Sequence, residues 1–156
     1  MKKLLLQLGS SSQPSTFDRI VAFDGGADEV MSYGSVTPDT VQPLVHGALF
    51  TRAPADLHHT AIFIGGTDMS AGERLLAAVT ATFFGPFRVS VMLDANGANT
   101  TAVATCARIR EALGDIRGRR AVVIAGSGPV GSRVAGLLAR DGADVVVTSR
   151  VQTDGT

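Results

Sequence analysis

One cysteine, Cys106, stands in 156 residues, so an internal disulfide and a multi-cysteine metal site are excluded. A reducing compartment, the cytoplasm, is the expectation. Tryptophan is absent and aromatics amount to 5%. Lysine occurs only at Lys2 and Lys3, which removes interior Schiff-base chemistry. Charge of one sign is missing too: 14 Lys+Arg balance 14 Asp+Glu, giving no global field for nucleic acid or a membrane surface. No run approaches the roughly 18 apolar residues of a membrane span. The opening Met1-Lys2-Lys3-Leu4-Leu5-Leu6-Gln7-Leu8 imitates a secretory leader, but its apolar stretch is shorter than the roughly 7 to 15 residues such a region needs. It reads as a first β-strand. Charged residues are only 18% where about 25% is ordinary, which excludes a disordered chain and points to hydrophobic surface covered by something else.

What is present is an alternation of apolar segments, bounded by Gly, Pro, Asp or Ser, with stretches of helical period. That pattern predicts an α/β fold with a mostly parallel sheet. Strands are expected at Lys3 to Leu8, Thr60 to Ile64, Arg88 to Leu93, Arg120 to Ala125 and Asp144 to Thr148, with a weaker one at Glu29 to Tyr33. Thr37-Pro38-Asp39 predicts a helix from about Pro38 to His46, a capping hydroxyl preceding proline at the first helical position. Ser70-Ala71-Gly72-Glu73 reads as a capping box for a helix running to about Phe84. A third helix, from Asn99 or Thr100, carries Ala102, Cys106, Ile109 and Leu113 on one stripe, which makes Cys106 a small buried hydrophobe. Glycines and charges replace this periodicity from Gly114 to Arg120. The reading is a first domain over residues 1–113, including this linking helix, and a second over 119–156. The arginines between 108 and 120 interleave with Glu111 and Asp115 and form a solvated face.

The motif with chemistry in it follows the strand at Arg120. Gly126-Ser127-Gly128-Pro129-Val130-Gly131 stands between that strand and a helix over Ser132 to Arg140, in the order strand, Gly-x-Gly-x-x-Gly, helix, strand. Gly126 is assigned the tight turn, Gly128 the approach of a pyrophosphate, and Gly131 the close packing of helix on strand. Amides at the helix start then meet the phosphates. An NAD enzyme usually places Asp or Glu at the end of the second strand, whereas here Ser149-Arg150 stands there. A hydroxyl and a guanidinium suit a 2′-phosphate, so NADP is the expected cofactor. Two further loops, Phe23 to Asp28 and Asp94 to Thr101, combine carboxylates, amides, hydroxyls and glycine near element ends. His46, His58 and His59 show no ligand spacing, and no metal is assigned.

Several of these segments together resemble one family. Phe23-Asp24-Gly25-Gly26-Ala27-Asp28, Tyr33 to Asp39, Ala61 to Gly66, Phe83 to Ser90 and Asp94 to Thr101 look like the N-terminal domain of methylene-tetrahydromethanopterin dehydrogenase. The bacterial NADP-dependent branch, which also accepts methylene-tetrahydrofolate, is the most similar. The resemblance continues through the glycine motif to Ser149-Arg150. It implies an N-terminal α/β pterin-cleft domain followed by the first βαβ unit of a Rossmann domain, apparently truncated, since family members are nearly twice as long. It implies hydride transfer from the methylene bridge of a reduced pterin to NADP+, leaving the methenyl form. Cofactor binding falls to Gly126, Ser127, Gly128, Pro129, Val130, Gly131, Ser149 and Arg150. Asp24, Asp94, Asn96, Thr100 and Thr101 are carried to the pterin cleft, and no catalytic acid or base is assigned. The expected partners are the reduced pterin and either further copies of the chain or a missing C-terminal half. A non-catalytic pterin- or partner-binding module and an NADP-dependent reductase of another substrate are the alternative functions.

Overall fold

The computed structural model describes residues 1–149. Two compact units divide the chain, one covering Met1–Asn96 and one beginning at Gly97. In the first, strands β1 (Leu4–Gly9), β2 (Glu29–Tyr33), β3 (Thr60–Gly65) and β4 (Ser90–Leu93) form one sheet. Their spatial order is β2-β1-β3-β4 and every pairing is parallel. Helices α1 (Thr16–Asp24), α2 (Gln42–Phe50) and α3 (Met69–Ala81) make the connections, with a short 3-10 segment at Pro54–His59.

Alternate side chains of the central strands point to opposite faces. On one face Leu6, Leu8, Ile62 and Ile64 pack with Val45 and Leu49 of α2 and Leu75 and Val79 of α3, the main core. On the other face Gln7 is buried and fully engaged: its amide donates to the Ser15 carbonyl and its carbonyl accepts from Ser32 Oγ. This polar pair ties the segment before α1 to the middle of the sheet.

Three helical expectations differ from the structure. Helix α1 was not anticipated. Its signal is Ser15, whose hydroxyl accepts from the Asp18 amide as an N-cap, followed by Phe17, Ile20 and Val21 at helical spacing, although the helix buries no side chain. The helix placed at Pro38 begins at Gln42 instead, because Thr37-Pro38-Asp39-Thr40 closes a β-turn, the Thr40 amide donating to the Thr37 carbonyl. The box at Ser70 is shifted by one half-turn: Asp68 is the N-cap of α3, accepting from the Ala71 amide at 3.0 Å.

The second unit contains α4 (Ala98–Leu113), β5 (Arg120–Val123), α5 (Pro129–Arg140) and β6 (Asp144–Val147), with β5 and β6 paired in parallel. The linking helix α4, expected with the first domain, packs here, because Ala102 and Cys106 meet Val134 and Leu138 of α5. The buried Cys106 thiol donates to the Val134 carbonyl, and burial pushes its pKa up. One face of β5–β6 receives these helices. The other leaves Val122, Ile124 and Val146 exposed, Ile124 to 81%. Arg108, Arg110, Arg117 and Arg120 make exposed ion pairs with Glu111, Asp141, Asp115 and Asp144. Among the described residues no helix is long and apolar enough to cross a membrane.

Candidate functional site

Ligands of parallel α/β sheets gather outside the carboxyl ends of the strands. In the first unit that edge is built from the segments after β1, β3 and β4. Gly65 ends β3, where an added Cβ would lie 2.9 Å from the Phe63 ring and 3.0 Å from Asp18 Oδ2. Gly66 follows with φ +110°, its missing Cβ facing Ser10 Oγ. The Asp94 amide donates to the Ile64 carbonyl and the Asn96 amide to the Gly66 carbonyl at 2.6 Å, Asn96 itself being left-handed at φ 55°. Gly72 on α3 keeps this corner tight, since a Cβ would crowd Leu93 and Ala95.

Asp94 and Asn96 are thereby held beside Gly65, Gly66 and a residue that sequence reading missed, Asp18. Burial raises the Asp18 pKa above the ordinary carboxylate value, a hydrogen bond from Ser15 opposes this, and the charge of Asp94 adds to it. Ser15-x-x-Asp18 was the available signal, a hydroxyl followed three residues later by an acid. Asp24 does not join this group. It closes α1 at the opposite end of the sheet, where the Asp28 amide donates to the Lys3 carbonyl ahead of β1. An open groove of about 360 Å³ lies there, lined among others by Lys3, Gly25, Gly26, His58 and His59. The two histidine rings lie 3.9 Å apart, and desolvation, then the charge of His58, lowers the His59 pKa. Among the described residues no three His, Cys, Asp or Glu side chains are grouped to hold a metal ion.

Thr100 and Thr101 belong to the second unit, in the first turn of α4, with Thr100 Oγ1 3.5 Å from the Gly97 carbonyl. Beside them Asn99 Oδ1 accepts from Arg133 Nε at 2.6 Å. The glycine motif occupies the carboxyl end of β5. Its turn is carried by Ala125 at φ 56° rather than by Gly126, whose role is steric: a Cβ there would strike Val147 Cγ1. At Gly131 a Cβ would come within 2.7 Å of the Ala125 carbonyl oxygen and of Gly126 Cα, so α5 closes on the turn. Gly128 differs from both. As N-cap of α5 it would place a Cβ no nearer than 3.4 Å to protein, so packing within the unit does not demand glycine there.

Pro129 takes the first helical position, Val130 packs partly into the second-unit core, and α5 has neither an acidic first turn nor a side-chain cap. The Gly126 amide donates to the Thr148 carbonyl, and the hydroxyls of Ser127 and Ser149 share a 2.9 Å hydrogen bond. The motif is thus joined to the end of β6. Arg150 lies outside the described residues.

The model of the N-terminal domain of methylene-tetrahydromethanopterin dehydrogenase matches residues 16–96. Its end coincides with the end of the first unit. The bifunctional protein MdtA of Methylorubrum extorquens is 54% identical over 150 residues, covering 96% of this chain and 52% of that protein. The NAD(P)-dependent methylenetetrahydromethanopterin dehydrogenase of the same organism is 31% identical over 151 residues, covering 94% of this chain and 51% of that protein. The chain spans about half the length of these curated relatives. With the family model covering more than half its residues, the chain belongs to the methylene-tetrahydromethanopterin dehydrogenase family.

Proposed function

We propose that the chain serves a dehydrogenase that moves hydride from the methylene bridge of methylene-tetrahydromethanopterin or methylene-tetrahydrofolate to NADP+. The observation that carries this reading is the joining, in one chain, of the family's N-terminal domain to a strand–Gly-x-Gly-x-x-Gly–helix–strand unit. The residues fit a dinucleotide: Gly128 leaves room at the start of α5, and that helix presents amides without an acidic side chain to compete. When bound, the nicotinamide accepts the hydride. Gly126 to Gly131 cradle the pyrophosphate, while Ser127 and Ser149, with Arg150 after them in sequence, receive the 2′-phosphate. Asp94, Asn96 and the newly found Asp18 are our pterin-side candidates in the first unit, and Thr100 and Thr101 in the second. Asp24 is left out because the structure puts it at the other end of the sheet. The reaction needs alignment of two carbons more than an acid or base, in keeping with a site that offers no interior lysine. Cytoplasmic residence is part of the proposal.

The test follows reduced-nicotinamide absorbance with methylene-tetrahydromethanopterin, methylene-tetrahydrofolate and neither, for the chain alone and with the remaining half of its relatives supplied. Pterin-dependent reduction of NADP+ is expected once that half is present. Reduction without pterin, or none in the supplemented protein, would overturn the reading. In the same titration Arg150→Ala is expected to weaken NADP by about 1.5 to 3 kcal/mol and leave NAD nearly unchanged.

A further inference from the structure

On the α2 side of the first sheet the core leaves a groove unfilled. It has a volume of about 430 Å³ and runs between the flank of α2 and strands β1 and β2. Leu4, Leu6, Met31 and Ala48 give it apolar walls, and Arg52 and Tyr33 are among its few polar groups. Gly47, near the middle of α2, keeps it open, since a Cβ there would meet nothing within 4 Å. A concavity that is mostly apolar, with a charged or hydroxyl group placed in it, has the usual make-up of a small-molecule site.

The charge in this groove has no counter-charge. Arg52 follows α2 and is partly buried, its guanidinium lying at the amino ends of β1 and β3. Nη1 donates to the His59 carbonyl at 3.0 Å and to Thr60 Oγ1 at 3.1 Å, and Nη2 donates to the Lys2 carbonyl at 2.9 Å. All three acceptors are neutral. They use at most three of the five N–H donors a guanidinium carries and leave at least two. Among the described residues no carboxylate pairs with it, and Glu29, opposite Leu4 on β2, does not reach it. Two donors of a planar fork match the two oxygens of a carboxylate, whereas a phosphate would bring more oxygens than they satisfy. Register gives the length of the apolar part. Thr60 pairs with Leu4 and Tyr33 with Leu8, so the Arg52 and Tyr33 ends lie four residues apart along β1, about 13 Å at the usual strand rise.

We propose that this groove binds a small apolar carboxylate, the acid group on Arg52 and the hydrocarbon lying along β1 toward Tyr33. None of the pterin-side or dinucleotide candidates lines it, so the proposal stands apart from the dehydrogenase reading.

The experiment titrates the full chain with octanoate, octanol and acetate, followed by backbone amide chemical shifts, for the wild type, Arg52→Gln and Gly47→Leu. Octanoate is expected to fill one site and to move the amides of Leu6, Met31 and Ala48. Octanol lacks the charge and acetate the apolar body, and each is expected to bind at least about tenfold more weakly. Arg52→Gln is expected to lower octanoate to the affinity of octanol and to leave octanol unchanged. Gly47→Leu fills the groove from a helix that prefers leucine to glycine, and is expected to fold and to bind none of the three. Equal affinity of the wild type for octanoate and octanol, or no octanoate binding up to its solubility, would overturn the proposal. So would octanoate binding that survives intact in Arg52→Gln or Gly47→Leu, or shifts confined to the exposed face of β5–β6. Sedimentation of the ligand-free protein adds one more outcome: a dimer that Gly47→Leu dissolves would give the groove to a second copy and overturn the proposal. If Arg52→Gln fails to fold by circular dichroism, octanoate against octanol in the wild type and Gly47→Leu decides.

Discussion

At the scale of single residues, Asp18 carries a measurable signature. Its pKa is raised in the folded protein, chiefly by burial and further by Asp94. Its protonated form is therefore the one folding favours. The stabilising contribution is complete below the ordinary carboxylate value of about 3.9 and is lost as pH rises through the folded value. Asp18→Asn, neutral at every pH, is expected to melt higher than wild type at pH 7, by roughly 1 to 3 °C for a partly buried group. The gap should close toward pH 3 in melts followed across the pH range. A gap of constant size would show that the charge is not the cause. Among the described residues three non-glycine residues take left-handed backbone, Ser35, Asn96 and Ala125, and each lies just beyond the carboxyl end of a strand. The glycine motif was legible in the sequence because spacing alone announces it. The strain at Ala125 was not, since alanine carries no mark of a left-handed turn, and Asp18 was hidden because its partners come from β3 and from the segment after β4.

Among the elements, strands were easier to see than helix starts. The apolar runs at Leu4 and Thr60 place Leu6, Leu8, Ile62 and Ile64 in the core, and the run at Val122 forms a strand that packs one face only. Helix α1 has a capping serine and Phe17, Ile20 and Val21 at helical spacing, a short signal that was legible, although these side chains are exposed rather than buried. At α3 two candidate caps compete, two residues apart, and the structure chooses Asp68. Asp68→Ala should cost about 1 kcal/mol of stability, the usual value for a lost N-cap. Ser70→Ala, already inside the helix, should stay within about 0.5 kcal/mol. Denaturant titration of both variants separates the assignments, and the reverse order would restore the serine.

For the molecule as a whole, the two units differ in how much apolar surface they bury. In the first, central strands β1 and β3 contribute Leu8, Ile62 and Ile64 at 1% exposure or less. In the second, among the described residues, a two-stranded sheet is covered on one face only, and sheets of that size are marginal by themselves. Hydrogen exchange is expected to show slow amides at Leu8, Ile62 and Ile64 and fast ones at Val145 to Val147. Equal protection would mean that β5–β6 is sustained by more than α4 and α5. The division into two was expected; its position was not. Loss of periodicity after Leu113 suggested a boundary there, whereas the units divide between Asn96 and Gly97, because an amphipathic helix such as α4 does not say which neighbour its stripe will meet.

The bare valine and isoleucine face of β5–β6 also governs how molecules of this chain treat one another in solution. Its isoelectric point is about 6.8 and its formal charge at pH 7 is zero. Near neutrality, then, colloidal repulsion is at its weakest while short-range attraction between exposed Ile124 patches persists. The second virial coefficient is expected to be most negative there, with added salt bringing no relief, since there is little net charge to screen. Moving a full unit or more to the alkaline side gives every molecule the same sign of charge. At about 0.1 M ionic strength that repulsion reaches only some 10 Å, so dilute buffer makes the better use of it.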